Sequence, residues 1–154
     1  MSKLFTAKVL LAGIIVGTLD ITAAMLQFFI KTGKDPFIVM KFIASGVFGN
    51  VAMKGGAAMV AWGFLFHYII AICFTVFFFW LISRRPALLQ NRLLTGIGYG
   101  IFTWAVMRFV VVPLSFATKQ PSTLNGTLTA ILILIVCIGI PLAYIAAAFR
   151  KQVA

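Results

Sequence analysis

Residues 8–30 read KVLLAGIIVGTLDITAAMLQFFI, an apolar run carrying one acid, Asp20, near its middle. About 20 mostly apolar residues suffice for a helix to cross a bilayer. A carboxylate at the centre of such a helix costs about 2.5–3.5 kcal/mol, so Asp20 is expected to face protein or water rather than lipid. Gly13, Gly17, Asp20 and Ala24 are spaced +4, +3 and +4, which sets them on one helical stripe. That stripe is small and polar, and the remaining faces carry Leu, Ile, Val, Met and Phe.

Composition carries the same message across the chain. Of 154 residues, 63% are hydrophobic and 10% charged, against about 25% charged in a soluble domain. Mean hydropathy is +1.14. The net charge of +11 could suggest nucleic acid, but the cations stand singly or in pairs at the ends of apolar runs. There is no basic patch interleaved with aromatics, so nucleic-acid binding is excluded and an anionic lipid surface is the expected counter-charge. The stretch MSKLFTAK could open a signal peptide. The apolar run continues to Ile30, beyond the small residues at Thr22–Ala24, so a retained first helix is expected.

Working outward, the spacing predicts four transmembrane helices over about 8–30, 60–82, 93–114 and 127–149. Between the first two, Asp35-Pro36 makes a helix start. The segment 36–49 that follows is too short to span, with Lys41 and Ser45 on a narrow polar strip. It is expected to lie interfacially or to dip in as a re-entrant helix. The fold class is therefore an all-α membrane protein forming one integral domain over residues 1–154.

Each span carries a stripe of small residues suited to close helix approach: Gly13 and Gly17, Gly63, Gly96 and Gly100, and Gly139. The stretch LLAGIIVG (10–17) parallels LLTGIGYG (93–100), which suggests a duplicated helical hairpin whose copies run parallel. A unit of four short spans buries little surface, so a homo-oligomer or a partner membrane subunit is expected.

Placing both termini on one side puts Lys3, Lys8, Arg84, Arg85, Arg92, Arg150 and Lys151 there, with Lys31, Lys34, Lys41, Lys54 and Lys119 opposite. This bias favours cytoplasmic termini. At about 1.5 Å per residue, His67 then lies ~10 Å, Arg108 ~9 Å and Asp20 ~15 Å below the outer surface. The three ionisable groups thus share a depth on different helices. They can form an ion pair between Asp20 and Arg108 with His67 as a hydrogen-bonding neighbour. They can instead line a functional pocket for a proton or a small anion, or Arg108 can snorkel outward.

Enzymatic patterns are missing from the sequence. There is no catalytic triad order, no carboxylate pair, no metal-ligand cluster and no phosphate-cradling loop, so no catalytic or metal residues and no enzyme activity are expected. Cys73 and Cys137 lie in apolar runs without CxxC spacing. His67 is the only histidine, so bis-histidine haem ligation would need a second chain, and no cofactor is expected.

The combination GTLD (17–20), IASGVFG (43–49), GFLFH (63–67) and GxxxGI…VVPL (96–114) resembles a group of small uncharacterised bacterial four-helix membrane proteins. These are in turn similar to the YagU-like inner-membrane family. The resemblance spans about residues 10 to 141, with Arg108 outside its motifs. It implies a bacterial inner-membrane location and supplies no activity.

Overall fold

Long runs of Leu, Ile, Val and Phe, almost free of charge, leave the backbone one way to satisfy its polar groups in an apolar solvent, namely within a helix. The computed structural model describes residues 3–117 and 123–151; Lys119, one of the cations used for orientation, lies outside them. Among the described residues there are helices and no strands. Four of the helical stretches are long and apolar enough to cross a membrane: Ala7–Thr32, Ala57–Arg84, Pro86–Leu114 and Leu124–Phe149. In no span is more than 33% of the most apolar window buried inside the protein, which leaves the rest for lipid. The fold is an all-α membrane bundle.

The first span belongs to α1 (Lys3–Thr32), and the short helix α2 (Ile38–Phe48) follows. The helix starts two residues later than the Asp35-Pro36 signal, with Phe37 at its N-cap, and Asp35 Oδ1 accepts from the Phe37 N–H at 2.9 Å just ahead of it. A single turn, α3 (Val51–Lys54), then leads into the second span, α4 (Ala57–Arg84). A 3-10 corner at Pro86–Asn91 turns the chain directly into α5 (Arg92–Val106), so the third span begins earlier than residue 93. Asn91 caps α5 by accepting from the Leu94 N–H at 3.1 Å. The third span ends in α6 (Val112–Leu114), and the fourth comprises α7 (Leu124–Leu134) and α8 (Ile140–Lys151).

Lys8 lies over the Phe149 ring, while Lys31 approaches Gly126 at the opposite end, so the first and fourth spans are antiparallel. One face of the bundle therefore carries Lys8, Phe149 and the 86–91 corner. The other, the loop face, carries residues 33–56 and 115–117. The packed core fills the half nearer the first face, with Val9, Val16, Phe78, Tyr99, Leu142 and Ala143 buried.

Two features of the third and fourth spans went unread in the sequence. Each contains one widened π turn, at Met107–Val111 and Ile135–Gly139, closed by bonds from Val112 to Met107 and from Ile140 to Ile135. Both turns end two residues before a proline, Pro113 and Pro141. A proline ring collides with the carbonyl four residues back, and widening the preceding turn moves that carbonyl aside.

Glycines set the closest approaches. A Cβ at Gly13 or Gly17 would press on Ile72 (3.1 Å) or Ala71 (3.0 Å) of α4. A Cβ at Gly96 or Gly100 would meet the backbone of Ile140 (2.7 Å) or Ile135 (2.5 Å) in the fourth span, and one at Gly139 would meet the Gly96 carbonyl. In both halves, then, the first helix turns its glycine pair toward the span that follows it. Gly63 differs, since the nearest atoms to its missing side chain are the Met40 backbone of α2. On α2, Met40, Ala44 and Ser45 are buried, with Ser45 Oγ donating to the Phe42 carbonyl at 2.6 Å. The strip defined by Lys41 and Ser45 is thus partly an inward face, because α2 is drawn onto α4 at Gly63.

Candidate functional site

The contact between α1 and α4 is close at Gly13 and Gly17 because neither has a side chain. That proximity lets His67, on α4, reach across to the neighbouring backbone. Its Nε2 lies 2.8 Å from the Gly17 carbonyl oxygen, and one residue along, the Tyr68 and Thr18 hydroxyls are 2.9 Å apart. One of the arrangements open from the sequence made His67 a hydrogen-bonding neighbour of an Asp20–Arg108 pair. Its hydrogen bond goes instead to the α1 backbone.

Where α4 and α5 meet, the contact is aromatic. Tyr99 Oη donates to the Phe74 carbonyl at 2.6 Å, and Phe77 stacks on Phe102 at 5.5 Å between ring centroids. Nearer the loop face, α2 reaches across from α4, and the Phe116 N–H donates to the Gly46 carbonyl at 2.9 Å. Between these two closures is a cavity of about 330 Å³. Asp20 from α1, His67 from α4 and Arg108 from the π turn of the third span all line it. Counted from the loop-face helix ends at ~1.5 Å per residue, Arg108 lies ~9 Å deep, His67 ~15 Å and Asp20 ~18 Å.

The walls are mainly apolar, from Ile70 and Phe74 of α4, Trp104 and Met107 of the third span, and Ile133, Leu134 and Ile138 of the fourth; Ile43 of α2 also reaches them. Gln27 and Thr103 add polar atoms. Thr103 Oγ1 is turned back to the Tyr99 carbonyl at 2.9 Å. Cys137, half-buried on the fourth span, is, like His67, within electrostatic reach of Asp20.

The three sequence-selected ionisable residues therefore border one cavity. Gln27 was overlooked, although it continues the Asp20–Ala24 stripe at +3. Trp104 and Arg108 follow Gly96 and Gly100 at +4 spacing, which on a regular helix sets all four on one stripe. Here the glycines face the fourth span, while Trp104 and Arg108 border the cavity. Among the described residues no cluster of metal-ligating side chains is found. No known family, curated protein or solved structure matches the chain. The resemblance to YagU-like proteins rests on its motifs alone.

Proposed function

We propose that this multi-pass membrane protein binds, and passes across the bacterial inner membrane, a proton or a small anion at a site made by Asp20, His67 and Arg108. One observation carries the reading: three ionisable side chains from three different spans border the same intramembrane cavity. Such groups are costly to hold in a bilayer and mark ion or solute pathways. A cavity of about 330 Å³ also falls within the range of small-ligand sites. Both termini are assigned to the cytoplasm by the cation bias, so the cavity lies in the periplasmic half.

A second reading is favoured by the bond between His67 and the Gly17 carbonyl. It makes the protein a structural or accessory subunit, alone or as a homo-oligomer, whose polar residues fix helix packing. Proteoliposomes under a pH or anion gradient separate the two. Transport requires flux in the wild type that Asp20→Asn abolishes while the variant stays folded. A wild type without flux supports the accessory role.

A further inference from the structure

We infer that the cavity takes an organic monocarboxylate with an apolar body, together with one proton; this rests on the site proposed above and names its solute class. Size and lining come first. At about 30 Å³ per water, a cavity of about 330 Å³ would hold roughly ten waters, each needing polar partners. The walls supply few. His67 Nε2 is engaged by Gly17, and the Thr103 hydroxyl by Tyr99. Phe74, Trp104 and Ile133 offer apolar and aromatic surface that suits a hydrocarbon body better than a hydrated inorganic ion.

Charge decides the sign. A guanidinium does not lose its proton in a protein, so the positive charge of Arg108 is permanent. Asp20 can gain a proton, and that event moves the cavity toward positive. A cavity with Asp20 ionised is balanced against Arg108. Once Asp20 is protonated it carries one surplus positive charge and accepts one monoanion, with the carboxylate at Arg108. A cation would require a net negative wall, which a permanent guanidinium opposes. Uptake is therefore one carboxylate anion and one proton, with no net charge moved. The titratable groups facing Asp20 are His67 from α4 and Cys137 from the fourth span, and Arg108 of the third span borders the same cavity nearer the loop face.

Trp104 supplies a reporter inside the cavity. The chain has three tryptophans, and Trp62 and Trp80 are exposed on α4, so Trp62→Phe with Trp80→Phe leaves Trp104 alone. This protein, purified in detergent, is titrated with 4-bromobenzoate, 4-bromobenzylamine and 4-bromobenzyl alcohol, whose bromine quenches indole fluorescence. Saturable quenching by the benzoate is expected, ~10-fold tighter than by the amine, with a similar loss in Arg108→Gln and retention in Arg108→Lys. In weakly buffered solution, about one proton should be taken up per benzoate bound, and Asp20→Asn should bind without that uptake.

Equal quenching by all three probes, or preference for the amine, overturns the anion class. Binding without proton uptake by the wild type, or uptake that persists in Asp20→Asn, overturns the role given to Asp20. Absence of quenching alongside wild-type proton or inorganic-anion flux overturns the organic solute but leaves the site. Unaltered flux in folded Asp20→Asn and Arg108→Gln overturns the site itself.

Discussion

The imidazole of His67 reaches the backbone of the neighbouring span, its Nε2 2.8 Å from the carbonyl oxygen of Gly17. The contact needs α1 and α4 to lie close together, and that closeness depends on the missing side chain at Gly17. Gly17→Ala would set a methyl 3.0 Å from the Ala71 Cβ and 3.2 Å from the Tyr68 ring, which a few tenths of an ångström of adjustment relieves. Gly17→Leu cannot be relieved that way. It should destabilise by about 1–3 kcal/mol, the usual cost of overpacking, read as a lower melting temperature in detergent.

Glycines in the other half provide a sharper contrast. Gly139→Ala drives a methyl into the Gly96 carbonyl and the Gly100 backbone, neither of which can rotate away. Gly98→Ala, two residues from Gly96, meets nothing within 4 Å and gains up to about 1 kcal/mol of helix propensity. Thermal melts should therefore move in opposite directions for the two variants. A neutral Gly139→Ala would mean that the fourth span does not pack on α5 through this glycine.

Asp20 and Arg108 can be tested for coupling with melts and flux on the same proteins. If they only hold helices together, Asp20→Asn lowers stability and adding Arg108→Gln recovers part of the loss. If they serve solute passage, Asp20→Asn abolishes flux with folding nearly intact. The second pattern is the expected one. Recovery by the double variant, with flux tracking folded protein, would assign the residues to packing.

The prolines predict a separation of stability from activity. Pro141→Ala restores a backbone N–H and removes the ring that would collide with the Cys137 carbonyl in a regular helix, so the wide turn at 135–139 can relax. Relaxation rotates Ile133 and Leu134 relative to Ile138 on the cavity wall. Stability should hold or rise, while solute binding read at Trp104 falls. Unchanged binding would show that packing against Gly100 keeps the turn without the proline.

Orientation is checked by cysteine labelling from either side of the membrane, in a background with Cys73 and Cys137 replaced. Asn50→Cys should react with an impermeant reagent added outside, and Gln90→Cys only after permeabilisation. The reverse pattern would turn the cavity toward the cytoplasm.

Much of this arrangement is legible in the sequence, and the limits have physical causes. Hydropathy runs and flanking cations mark the spans, because bilayer thickness prescribes their length. Counting residues in antiparallel helices of fixed rise brings Asp20, His67 and Arg108 toward one depth, although from the observed helix ends they spread over ~9 Å. Counting does not reveal which helix a stripe faces. Gly63 reads like the other small residues, yet its neighbour is α2, an assignment that depends on how the 33–56 segment folds back. The π turns were hidden for a related reason. Pro113 and Pro141 mark a disturbance, but whether it becomes a kink, a break or a wide turn is decided by the helix packed alongside.

The seam between α4 and α5 differs from the others in what fills it. Glycines bring backbone against backbone where α5 meets the fourth span and let α4 side chains press on the α1 backbone at Gly13 and Gly17, whereas here rings meet rings, Phe77 with Phe102 and Phe78 with Tyr99. Backbone contacts resist sliding and splaying alike. Stacked rings slip past one another at little cost, and one hydrogen bond from Tyr99 to Phe74 holds them in register. The ring-filled seam is therefore the most compliant of these three, and the cavity lies directly beside it. A bilayer that squeezes harder at the depth of these rings would narrow the chamber without bending a single helix.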